Sequence, residues 1–85
     1  MRKFEMFGRQ MGMKGESQPL ELHEVSFAAS HDVLRRLARF FDHCATQLEA
    51  RKLADHAHFS DFDTANRKMS VEVVVVNPDA YGKRG

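Results

Sequence analysis

One cysteine in 85 residues excludes an internal disulfide, so no covalent cross-link supports the fold. Long apolar runs are missing too. The longest is Val73–Val76, far below the roughly 20 residues that span a bilayer. The opening stretch MRKFEMFGRQ is basic in part but lacks the apolar segment of a signal peptide. Neither sign of charge dominates: 13 Lys and Arg stand against 12 Asp and Glu, a net charge of +1. Such a balance selects neither nucleic acid nor a membrane surface as partner. No internal repeat is evident. A reducing, cytoplasmic setting is the expectation.

What is present fits one small globular domain. Hydrophobic residues make up 42% and charged residues 29%, a globular rather than a disordered balance. The expected layout is a single domain over 1–85, with a strand and turn in 1–19, a core in 20–79 and a flexible tail in 80–85. A chain this short buries a modest share of its surface, so its stability is marginal without further support.

Hydrophobic spacing predicts the order β-β-α-β-β. Phe4 and Met6 alternate with Lys3 and Glu5 in the first strand. Gly8, Gly12, Gly15 and Ser17-Gln18-Pro19 mark a hairpin turn. LELHEVSFA forms the second strand, with a change of phase near His23-Glu24 that calls for a bulge or two part-buried faces. A helix follows from about Ser30 to Arg51. Ser30 caps it, Asp32 suits its positive end, and Arg51 and Lys52 suit its negative end. Val33, Leu34, Leu37, Phe40, Phe41, Cys44, Ala45 and Leu48 form its apolar stripe. HAHFS and MSVEVVVV supply two more strands, the last ended by Asn77-Pro78. The expected fold class is α+β: one mainly antiparallel four-stranded sheet with one long helix on one face. The opposite face would carry Leu20, Leu22, Val74 and Val76, an apolar patch suited to a homodimer interface.

Chemistry is sparse. On a strand, His56 and His58 project from one face about 7 Å apart, at ~3.3 Å per residue. They could share a metal, completed by Asp61, Asp63 or His23. Alternation alone also explains them, with Ala57 and Phe59 buried and the histidines exposed. Cys44 lies on the apolar stripe, where a thiol is a core residue rather than a nucleophile. Ser30-His31-Asp32 has the residue types of a hydrolase triad, but adjacent residues at a helix start cannot orient one another as a triad does. Asp61, Asp63 and Asn66 lack the glycine and closing glutamate of a calcium loop. Arg35, Arg36 and Arg39 are diluted by acidic neighbours and lack a stacking motif. The residues therefore imply no enzyme, no cofactor and no nucleic acid.

The string LHEVSFAASHDVLRRLARFFDHCATQLE, followed by HAHFSD and SVEVVVVNP, resembles small bacterial proteins of the polymorphic-toxin immunity families. Ser30, Leu34, Arg35, Leu37, Ala38, His56, His58, Asp61 and Asn77-Pro78 carry the resemblance, which spans roughly residues 20 to 79. It implies a non-enzymatic protein that binds and neutralises a toxin. The expected partner surface comprises His23, His56, His58 and Asp61, with Glu21 and Glu24 beside it. The alternatives are a small metal-binding protein using His56, His58 and Asp61, and a homodimeric structural subunit.

Overall fold

Ser30 sets the start of the dominant element. In the computed structural model, which describes residues 4–10, 19–65 and 71–82, its extended backbone precedes the helix α1, His31–Glu49. Its hydroxyl accepts a hydrogen bond from the Val33 N–H at 3.3 Å, and its carbonyl accepts from Leu34 N–H at 3.0 Å. The first satisfies one of the orphan donors of a helix start, and the second is the first regular bond of the helix. The other end closes on a left-handed residue. Arg51, at φ 59, donates to the Leu48 carbonyl, while Lys52 donates to Gln47. This is the Schellman pattern, usually built on glycine. Arg51 and Lys52 therefore lie in the closing turn rather than in the last helical turn.

Five short elements accompany α1. They are β1 (Met6–Gly8), β2 (Leu20–Leu22), β3 (His56–His58), β4 (Val74–Val76) and a single turn α2 (Phe59–Phe62). A final short helix, α3, spans Pro78–Gly82. Among the described residues, no helix is long and apolar enough to cross a membrane.

The fold is α+β, as expected, but its strands form two sheets rather than one. β1 pairs antiparallel with β2, Phe7 opposite Glu21. β3 pairs antiparallel with β4, His56 opposite Val76 and His58 opposite Val74. Among the described residues, no ladder joins the two pairs. The reason lies in the second strand. Its pattern breaks at His23-Glu24, and residues 23–30 are all exposed. A strand with neither face buried has little to hold it in a sheet. The expected interface patch is divided accordingly, Leu20 and Leu22 in one sheet and Val74 and Val76 in the other. The hairpin of the first two strands is present, although its turn, residues 11–18, lies outside the described residues. So do Arg2, Lys3, Asn66, Lys83 and Arg84.

The core is compact. Leu37, Phe40 and Cys44 of α1 are buried with Phe59, and Val33, Ala57, Val73 and Val75 pack against them. Alternation is respected on β3, where Ala57 faces inward. Phe59 follows, but the chain then turns helical, so HAHFS is not one strand. Its ladder is extended at both ends: Phe59 N–H donates to the Val73 carbonyl and Asn77 N–H to the Asp55 carbonyl. Asn77 also donates through Nδ2 to the Leu53 carbonyl at 2.7 Å and accepts from Asp79 N–H at 2.9 Å. It ends β4, starts α3 with Pro78 at the first helical position, and ties both to the turn after α1. Residues 80–82, expected in the tail, belong to α3.

Candidate binding groove

Phe40 organises the site from below. It is fully buried, with ring centroids 5.4 Å from Phe59 and 5.6 Å from Phe62. These tilted contacts lie in the favourable range for aromatic pairs. They hold α2 against α1. The ion pair of Arg36 Nε with Asp63 Oδ2, at 3.1 Å, ties the two again on the flank. Between α1 and the β3–α2 segment an open groove of about 500 Å³ remains. Phe40, His43, His56, Ala57, His58, Asp61 and Phe62 line it.

The histidines are set by their carboxylate neighbours. His56 Nδ1 lies 2.7 Å from Asp55 Oδ2. An ionised carboxylate only accepts, so Nδ1 carries the hydrogen and a neutral ring keeps its lone pair on Nε2. His58 Nδ1 lies 3.5 Å from Glu72 Oε2. The two rings meet edge to face, with centroids 4.9 Å apart. On the α1 side, His43 stacks on Phe62 at 5.1 Å. The groove thus joins an apolar floor to imidazole nitrogens and nearby carboxylates.

Glu72 holds the β3–α2 corner. His58 is the N-cap of α2 but makes no side-chain capping bond. Glu72, two residues before β4, caps α2 instead. It accepts from Ser60 N–H at 3.1 Å, from Ser60 Oγ–H, and from Val73 N–H at 3.0 Å. Partial burial pushes the Glu72 pKa up. The hydrogen bonds from Ser60 and Val73, with the charge of His58, outweigh it and hold the carboxyl below its ordinary range. A carboxyl depressed in the folded state adds stability above its unfolded pKa, roughly 4.3. That stability is lost as pH falls through the folded value. Glu72→Gln is therefore expected to lower stability at neutral pH by about 1 kcal/mol or less, since the group is part-exposed. The deficit should disappear in acid. Urea unfolding of both chains at neutral and acid pH checks this, and a deficit that persists in acid would contradict it.

The structure brings together three of the four expected partner-site residues. His56, His58 and Asp61 line one groove. Asp61 comes there through the α2 turn, not through strand alternation. His23 lies just past β2 and is not among the lining residues. Glu21 and Glu24 are likewise in or beside the other sheet. His43, Phe62 and Glu72 were missed. The signal for Glu72 was its place as the one polar residue within the valine run 71–76.

The other candidates have structural roles. Cys44 is buried, and burial raises its thiol pKa. The Ser30 hydroxyl caps α1. His31 and Asp32 sit 3.6 Å apart and exposed, and neither is hydrogen-bonded to the Ser30 hydroxyl, which serves the cap. Asp63 accepts from Ala65 N–H at 3.2 Å and pairs with Arg36, so its carboxylate serves a turn. Among the described residues, no three His, Cys, Asp or Glu side chains are placed to hold a metal ion.

Taken together, these features define a small α+β domain with one long helix, two two-stranded sheets and an aromatic groove. The chain matches no protein-family model, and comparison with curated proteins and solved structures gives no match.

Proposed function

We propose that this chain is a non-enzymatic protein-binding module whose groove receives a segment of a partner protein. The observation that carries the reading is the groove's composition: Phe40 and Phe62 beside His43, His56 and His58. Aromatic surfaces beside well-placed polar groups are where binding energy concentrates. Acidic groups surround the imidazoles: Asp61 lines the groove, and Asp55 and Glu72 lie against His56 and His58. The fitting partner presents an arginine or lysine next to an apolar side chain.

The surplus of exposed apolar side chains supports a binding role as well. Among the described residues, four hydrophobic ones are buried, whereas ten large ones, Phe7, Phe27 and Phe62 among them, are exposed. Such a surface in a small domain suits a protein that works in association. The immunity-type inhibitor, implied by the resemblance to polymorphic-toxin immunity families, is the particular form of this proposal: a cytoplasmic protein that occludes a toxin. The metal-binding reading on His56, His58 and Asp61 has less support, because among the described residues no three His, Cys, Asp or Glu side chains are placed to hold an ion.

Tagged chain recovered from its source cells tests the proposal. The wild type is expected to retain a stoichiometric protein, and His56→Ala with His58→Ala to release it. Retention should weaken as salt rises, because the contact is charged. Equal retention by the double variant would remove the groove from the account.

A further inference from the structure

The apolar stripe of α1 is wider than the core it covers. Leu37, Phe40 and Cys44 are buried, but Leu34 is 45% and Phe41 42% exposed. Ala38 and Ala45 are exposed and Leu48 is half-buried. Leu34, Ala38, Phe41, Ala45 and Leu48 follow one another at spacings of four, three, four and three. At 100° per residue they form a continuous seam beside the core face. This is the spacing of a helix that packs along another helix. Phe41 stands between two alanines, a large residue flanked by small ones, which lets a second seam interdigitate.

Beside the seam runs a second row at sevenfold spacing: Arg35, Asp42 and Glu49, all exposed. Its charge changes along the helix, from basic at the N-terminal end to acidic towards the C-terminal end. The row therefore complements itself when reversed. In an antiparallel pair centred near Phe41, Arg35 of each copy lies opposite Glu49 of the other. In a parallel two-fold pair the two rows would lie on opposite sides of the seam and would not meet. The two Asp42 carboxylates, close to the axis, are the single like-charge contact of the antiparallel pair.

We propose that the Leu34–Ala38–Phe41–Ala45–Leu48 face of α1 is the interface between two copies of this chain, paired antiparallel across a two-fold axis near Phe41. Isologous pairing of this kind is the commonest way for small chains to associate. It covers apolar surface that the small core leaves open. The seam is about 21 Å long, fourteen steps of ~1.5 Å from Leu34 to Leu48, so association depends on concentration. The surface differs from the groove, and neither proposal requires the other.

Sedimentation equilibrium of the full chain tests this. The wild type is expected to approach twice its 9.8 kDa mass at its highest soluble concentration. Phe41→Glu is expected to stay at single mass with its helical circular dichroism retained. Arg35→Glu, at an exposed position that the fold does not depend on, should weaken the dimer about tenfold, and adding Glu49→Arg should restore it. A wild type that stays at single mass would overturn the proposal. So would a dimer that both Phe41→Glu and Arg35→Glu leave intact, or one that is abolished by Val74→Glu and not by these changes.

Discussion

Phe40→Ala is expected to unfold most of this protein under conditions where the wild type is native. Phe40 is fully buried and touches Phe41, Phe59 and Phe62. Removing such a ring costs about 3–5 kcal/mol, from lost transfer energy and from the cavity left behind. A chain of this length has roughly 4–13 kcal/mol in total, and a core of four buried side chains among the described residues places it near the lower end. The substitution thus takes away most of what there is. Loss of the ring also frees α2 from α1, so the groove would lose its floor before the rest of the chain unfolds. Phe40→Leu, which keeps much of the volume, should be far milder. Urea unfolding followed by circular dichroism checks both. A shift under about 1 kcal/mol for Phe40→Ala would show that the core lies elsewhere.

Phe62→Ala should act on the partner instead of on the fold. The Phe62 ring is 42% exposed, so it contributes less to stability than Phe40 does. It joins His43 on one side to Phe40 on the other, at the groove surface. An aromatic ring in that position has the features of an interface anchor, whose truncation costs about 2 kcal/mol or more. That is a loss of about 30-fold in affinity. The helical signal should change little, because α1 keeps its cap, its closing turn and its packing on Phe59.

Parts of this architecture were legible in the sequence for definite reasons. Ser30 and the apolar repeat from Val33 to Leu48 specify α1, since cap and period are local signals. The inward pointing of Ala57 and Phe59 followed from alternation. The sheet arrangement was not legible, because pairing is a long-range property and the strands are three residues each. The broken alternation at His23-Glu24 suits a bulge or two part-buried faces, but it marks the end of β2, with both faces exposed beyond it. At the groove, His56 and His58 stood out through their spacing of two. His43 did not, since only the packing of α2 shows which flank of α1 the groove uses. Glu72 caps a helix that starts thirteen residues earlier in the chain, a contact that no local pattern encodes. The helix stripe showed that α1 had an apolar face, but not that part of this face stays uncovered.

The most direct test of the groove is titration calorimetry of the captured partner against wild type and Phe62→Ala. The account predicts one-to-one binding to the wild type and a loss of about 30-fold or more in the variant, with both chains equally folded. Equal affinities for the two chains would contradict it and place the binding surface away from α2.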